Sequence, residues 1–392
     1  MSIDHLGHLG HPTTRPATAP SAGAAHGRWR CREAAARLIA FACDAHARYQ
    51  CAVFRIGLSG LVLAFLLREW PHRRVLYGDR SPWALDLAAR LVAENHAFTV
   101  LTWSAGRWWF ECVYHGAILV AALLMLGWRT RATSVLFLIA VLSLQNRNPL
   151  IGDGGDNVIG VMAIYLAFTQ CGTVWSLDAR RARRNRRAGR VDRAGFVMWQ
   201  ILGVALLWVS DGFQGTAWAA VLWAGWVCQG LWYAARRWSR GAWSRELLDA
   251  AATMLHNCAM LVIAAQICLI YATAGWYKVQ GTRWQDGSGL HYALHLDYFS
   301  PWPGLGSLLA SHMLLIVLLS YGTVVMQVAF PFLLGYRRLK TALLAVMILE
   351  HAGIAVLLGL PFLSAAMVVC DAVFLPTALL RPSRRSGSRP KR

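Results

Sequence analysis

The sequence predicts an all-α integral membrane protein with about ten transmembrane helices, and three observations predict it. Of 392 residues, 57% are hydrophobic and 15% are charged, whereas a soluble domain carries roughly 25% charged residues. With a mean hydropathy of +0.41, too little water-facing surface is left for a soluble enzyme, and the chain is too apolar to be disordered. The apolar residues also gather in runs approaching the roughly 17–25 residues that a bilayer helix needs. Finally, the charges sort onto alternate sides of those runs.

Ten runs follow in order: 52–67, 110–127, 132–145, 157–172, 195–211, 217–235, 250–276, 309–335, 340–358 and 361–380. The third and fourth are short, and the stretch between them, QNRNPLIGDGGDN, is too polar to meet lipid. Helices are the open-chain solution, because an unpaired backbone amide in hydrocarbon costs several kcal/mol. Residues 28–50 read as an amphipathic interfacial helix. Residues 1–27 are polar and Pro-rich, without a signal-peptide core, and read as a disordered cytoplasmic tail. The alternative for that tail is metal binding by His5, His8 and His11. The membrane domain then occupies 51–380, and a basic cytoplasmic tail covers 381–392.

Charge placement orients the chain. With the N-terminus in the cytoplasm, the inner segments hold 29 of the 39 basic residues and 7 of the 19 acidic ones. The outer loops hold 9 of each, and this positive-inside bias puts both termini in the cytoplasm of a multi-pass cell-membrane protein. The run DARRARRNRRAGRVDR (178–193) is the main anchor. A grip on RNA or anionic lipid is its other reading; nucleic acid is set aside because the basic residues follow topology. Tryptophans fall at run ends (Trp70, Trp108, Trp109, Trp128, Trp175, Trp238, Trp276, Trp284), as an interfacial belt requires. The nine cysteines lie mostly in apolar runs and form neither a disulfide framework nor a paired CxxC site, so no metal centre is expected.

Ionisable residues inside a bilayer are costly and mark candidate sites. Arg55, near the start of the first run, is expected to snorkel to the cytoplasmic face. Asp371 is expected to pair with inner arginines. Glu350 and His351 sit near the middle of the ninth run, beyond snorkelling reach. His115 and His312 fall in the outer halves of the second and eighth runs. Each histidine reads either as an interhelical hydrogen bond or as part of a polar cavity.

Two outer stretches stand out. In NRNPLIGDGGDN (146–157), Arg147 and Asp156 offer a donor and an acceptor beside flexible glycines, either lining a cavity or forming an ordinary Asp-Gly turn. In YATAGWYKVQGTRWQDG (271–287), Lys278 is one of only three lysines, and the other two, Lys340 and Lys391, lie at the inner face or in the tail. Arginine holds its proton in proteins, but a lysine in dry surroundings can give it up, which suits a general base. The other reading is a snorkelling lysine at a helix C-terminus, favoured by the macrodipole.

These stretches resemble the vitamin K-dependent γ-carboxylase and HTTM membrane family. The resemblance rests on YQCAVFRIGLSGL, RNPLIGDGGDN, YATAGWYKVQGTRWQDGSGLHYAL and ILEHAGIAVLLGLPFL, with VWSLDARR typical of the bacterial branch, and it spans roughly residues 48–380. Ala274, Gly275, Lys278, Trp284, Asp286 and Gly287 match the most specific motif. The family carries an Asn-His pair where this chain has Gly155, Asp156 and Asn157.

The resemblance implies that Lys278 is the base that deprotonates a reduced quinone of the menaquinone or vitamin K type, at the extracytoplasmic face. It implies modification of a small secreted peptide. On this reading Glu350 and His351 form a buried relay, and Arg147 and Asp156 orient the polar head. His115, His312, Trp284 and Asp286 complete the lining. The bacterial relatives imply a rival role: a non-catalytic membrane subunit that matures or exports a peptide toxin with a small partner protein, as in the sporulation-delaying system. A transporter is set aside for want of an inverted repeat.

Overall fold

The computed structural model describes residues 33, 37, 40–188, 193–209, 216–238 and 242–381. Among them every regular element is helical. The principal helices are α1 (Arg48–Glu69), α2 (Leu85–Glu94), α3 (Arg107–Leu126), α4 (Thr130–Arg147), α5 (Gly154–Ala167), α6 (Leu177–Ala188) and α7 (Arg193–Val209). They continue as α8 (Thr216–Trp238), α9 (Ala242–Gln280), α10 (Gly289–Leu294), α11 (Pro303–Ala310), α12 (Met313–Leu333), α13 (Arg337–Leu357) and α14 (Pro361–Asp371). Short helical turns fill several of the connections. The chain divides into two units, Met1–Asp44 and Ala45–Arg392. In the first, residues 40–43 are helical, and most of the expected interfacial helix lies outside the described residues. Ala47 adopts a left-handed conformation (φ 51°), and residues 48–50 already belong to α1.

Among the described residues, five helical stretches are long and apolar enough to cross a membrane: Arg48–Leu76, Arg107–Leu126, Glu246–Gln280, Met313–Leu333 and Arg337–Leu357. Gly154–Ala167, Gly195–Val204 and Pro361–Phe374 are apolar but shorter. Among the described residues, length and composition therefore support five of the ten expected spans. Breakers reshape two of the runs. The eighth still yields the Met313–Leu333 span but starts late, because His312 leaves helical geometry (φ −103°, ψ 78°) and begins α12 afresh. The tenth is cut after residue 374, because Pro376 forces Leu375 into an extended conformation (ψ 140°). At 39 residues, α9 extends about 58 Å at 1.5 Å per residue, far beyond the hydrocarbon thickness of about 30 Å. Its polar start, WSRELLDA, accounts for some of that excess.

Helix ends are closed by identifiable groups. Asp178, at the start of α6, accepts from the Arg129 and Thr130 amides and so caps the N-terminus of α4. Asp153 and Asp156 form a reciprocal capping box at the start of α5, a device whose N-cap half alone is typically worth about 1 kcal/mol. Within the second unit α1 packs on α3 and α14, α3 on α4, α4 on α5, α5 on α14, α9 on α12, and α13 on both α12 and α14. The core between them is filled by Phe54, Tyr114, Phe137, Met162, Ile263, Phe330 and Met347. Large apolar side chains on outer faces, among them Leu119, Leu261, Leu314 and Leu349, stay exposed. On helices of this length they form the surface that lipid contacts.

Arg55 does not snorkel. It is fully buried and donates to the carbonyls of Cys171 (3.0 Å) and Trp175 (2.8 Å). The segment after α5 turns sharply, with Trp175 at φ 48°, and leaves carbonyls that need donors; a guanidinium fork supplies two at once.

Candidate functional site

The candidate site is built where α9, α12 and α13 meet. Lys278 lies in the last turn of α9, half-buried, and its Nζ donates to Gln327 Oε1 at 2.8 Å. Gln327 Nε2 in turn donates to Glu350 Oε1 at 2.6 Å. The amide is therefore oriented by its neighbours: an ammonium only donates and a carboxylate only accepts, so the carbonyl faces Lys278 and the NH₂ faces Glu350. Such charge-assisted bonds are short and strong. Opposite charges on α9 and α13 are thus joined through one neutral side chain on α12.

Local structure places the amine. At Gly275, one turn before Lys278, a Cβ would come within 2.8 Å of Val328 Cγ2; its absence lets α9 lie close against α12. After α9 the chain turns through Thr282–Gln285, which puts the Trp284 ring 5.3 Å from Lys278 Nζ, within cation–π range. Gly287 takes φ 78° to leave that turn. The turn is tied to α12 by Tyr321, whose hydroxyl donates to the Gln285 carbonyl (2.7 Å). The Leu290 amide adds a second tie by donating to Ser320 Oγ (3.2 Å). Asp286 is exposed and accepts from the Ser288 amide and hydroxyl, which hold its carboxyl below the ordinary value.

Between α12 and α13 runs a groove of about 260 Å³ lined by Leu318, Leu319, Met326, Val346, Leu349 and Leu357, with Thr323 and Glu350 as polar groups. Glu350 thus belongs both to the hydrogen-bonded chain and to an apolar groove.

His351 turns the other way. Its Nε2 is 2.9 Å from the Tyr271 hydroxyl, which donates to Asp371 Oδ2, also at 2.9 Å. All three side chains are buried. The expected Glu350–His351 relay is therefore two separate arrangements on adjacent residues, and Asp371 pairs with a tyrosine rather than with inner arginines. Residues 350 and 351 point about 100° apart on a helix, so one carboxylate meets α12 while the imidazole meets Tyr271 on α9.

The remaining sequence candidates make their bonds elsewhere. Arg147 donates to the Trp83 (3.0 Å) and Gly78 (3.5 Å) carbonyls and so secures the loop before α2. Asp156 completes the α5 capping box. His115 accepts from Trp70 Nε1 at 3.1 Å. His312 contacts Ser311 and the Leu308 carbonyl at the start of α12. None of these bonds reaches Lys278, Gln327 or Glu350. Sequence reading missed Gln327 and Tyr271. The signal for Gln327 was available: a lone amide in the run MLLIVLLSYGTVVMQVAFPFL.

No family model, curated protein or solved structure matches this chain.

Proposed function

We propose that this chain is a polytopic membrane enzyme of the carboxylase-like class with ten membrane segments and both termini in the cytoplasm. Its site lies at the extracytoplasmic face and removes a proton from a reduced quinone during modification of a small secreted peptide. The observation that carries this reading is the Lys278–Gln327–Glu350 chain, which meets an apolar groove at its carboxylate end. A groove of about 260 Å³ with leucine walls and one carboxylate fits an apolar ring or prenyl segment with a polar edge. When bound, a reduced quinone supplies an acidic ring hydroxyl.

In this scheme Lys278 first releases its ammonium proton to the outer aqueous side and then, as a neutral amine that still donates to Gln327 Oε1, takes the proton of the bound hydroxyl. Its half-buried position leaves Nζ reachable, and Trp284 shields one side of it from water. Gln327 fixes the amine while separating it from Glu350, so the two ends do not simply neutralise each other by direct proton exchange. Glu350 orients a hydroxyl within the groove and balances the positive charge that Lys278 carries after protonation. The ten-segment topology is supported by the bias of 29 basic against 7 acidic residues on the inner side.

The test is mass spectrometry of secreted peptides from cells with the wild-type chain, without it, and with Lys278→Arg. The expected result is a gain of one carboxyl group in the wild type alone, because arginine keeps the charge but does not act as a base at this pH. Full modification with Lys278→Arg refutes the base role. Loss of a mature peptide without any mass gain, reproduced by deleting a small partner protein, supports the non-catalytic maturation subunit instead.

A further inference from the structure

Tyr271, His351 and Asp371 form a second polar arrangement, separate from the Lys278 chain and unused by it. They are drawn from three helices (α9, α13 and α14) and are 2%, 5% and 1% exposed. The tyrosine hydroxyl stands between an imidazole nitrogen and a carboxylate oxygen, both at 2.9 Å. Beyond this chain, the outer atoms of its two ends, His351 Nδ1 and Asp371 Oδ1, are buried without a hydrogen-bond partner. Buried polar atoms are nearly always paired, so two orphans at opposite ends of one chain ask for an explanation.

We propose that these three residues are a proton relay in which the Tyr271 hydroxyl couples the protonation of Asp371 to the tautomer of His351. In the loaded state Asp371 carries a proton and donates to the tyrosine oxygen. Tyr271 then donates to His351 Nε2, and His351 holds its own proton on Nδ1. All three groups are neutral, which suits a site where an unpaired charge is costly. On discharge the Asp371 proton passes to the tyrosine oxygen, the tyrosine proton passes to Nε2, and the Nδ1 proton leaves. The products are an aspartate, a tyrosine and a neutral imidazole protonated on Nε2, so one proton has left and no bond between heavy atoms has changed. The hydroxyl now points at the carboxylate. The two orphaned atoms are the two ends of this wire: protons enter at Asp371 Oδ1 and leave at His351 Nδ1.

The surroundings favour this over a simple interhelical tie. The titratable groups within electrostatic reach are Glu350 on α13, Lys278 on α9 and Cys370 on α14. From α12 the triad meets Phe330, whose ring centre is 4.3 Å from that of Tyr271. Among the described residues, α1 and α5, which also pack on α14, bring no titratable side chain into that reach. Among the described residues no cation is hydrogen-bonded to Asp371, so in this proposal the proton itself is the species that balances its charge. The proposal does not rest on the reaction assigned to Lys278.

The experiment uses the full chain in lipid nanodiscs with ¹⁵N-labelled histidine, titrated with pH. Infrared spectroscopy follows the protonated-carboxyl stretch, assigned to Asp371 by its loss in Asp371→Asn. NMR follows the His351 ring nitrogens. The expected result is that the carboxyl band disappears and the proton on His351 moves from Nδ1 to Nε2 over the same pH interval. In Tyr271→Phe the two events separate, while the ring still packs on Phe330. A His351 tautomer that stays fixed while the Asp371 band is lost overturns the relay, as does an unchanged coincidence in Tyr271→Phe. Should Tyr271→Phe not fold, Asp371→Asn decides: a His351 tautomer that no longer varies with pH supports the coupling, and one that still does overturns it.

Discussion

Replacing Gln327 by leucine removes both bonds of the Lys278–Gln327–Glu350 chain with little change in side-chain volume. The two bonds measure 2.8 and 2.6 Å and each involves an ionisable partner. A hydrogen bond to a charged group contributes about 1.5–3 kcal/mol, so the pair sets an upper bound of roughly 3–6 kcal/mol. Two facts lower it. Interhelical bonds in membrane proteins average only about 0.6 kcal/mol, because separated helices find other partners. Lys278 is also half-exposed at the end of α9 and can swing toward the interface. Glu350 has no such escape from the middle of α13. The expected loss for Gln327→Leu is therefore about 1–3 kcal/mol, most of it from the stranded carboxylate. The assay is reversible unfolding in mixed micelles. Adding Lys278→Met and Glu350→Leu to the same chain should recover at least half of the loss, since an apolar set replaces a buried charged one without leaving orphans. A single variant within about 0.5 kcal/mol of wild type, or a triple variant no more stable than the single, refutes the reasoning.

Other consequences follow from the same geometry. Arg55→Met leaves the Cys171 and Trp175 carbonyls without their buried donors and should cost about 1–3 kcal/mol per carbonyl in the same unfolding assay; Arg55→Lys should recover only part, because one ammonium does not reproduce the fork. Gly275→Leu drives a side chain into Val328 and should destabilise the α9–α12 contact by about 1–3 kcal/mol, with Gly275→Ala smaller in effect. Arg74 bonds Asp79 at 2.6 Å and holds its carboxyl down to about 2. That contribution is present above the unfolded-state value of about 3.9 and is lost as pH falls through the folded value, so the deficit of Asp79→Asn relative to wild type should shrink between about pH 4 and pH 2.

What the sequence made legible follows from what costs most in a membrane. Apolar runs, Lys278 and Glu350 are conspicuous because hydrocarbon penalises any exception to them, and the expected helices form at or near those runs. Span limits were less legible, because a Ser-His pair at 311–312 and a proline at 376 break the eighth and tenth runs without changing average hydropathy. Arg55 shows a different failure. Its position near a run end suggested snorkelling, but the donors it supplies are needed by carbonyls more than one hundred residues further along the chain, a demand that no local window contains.

Gln327 and Tyr271 show why site composition was harder to read than site location. An amide or a phenol in an apolar run costs little when paired, so neither stands out as a charge does. Both become significant only through partners on other helices: Gln327 through residues 278 and 350, Tyr271 through 351 and 371. The adjacent residues 350 and 351 therefore serve two arrangements rather than one, because the turn of the helix aims them at different neighbours. A substitution confined to α13 can then separate the two. Glu350→Gln should disturb the Lys278 chain and leave the tautomer coupling of His351 intact, whereas Asp371→Asn should do the reverse.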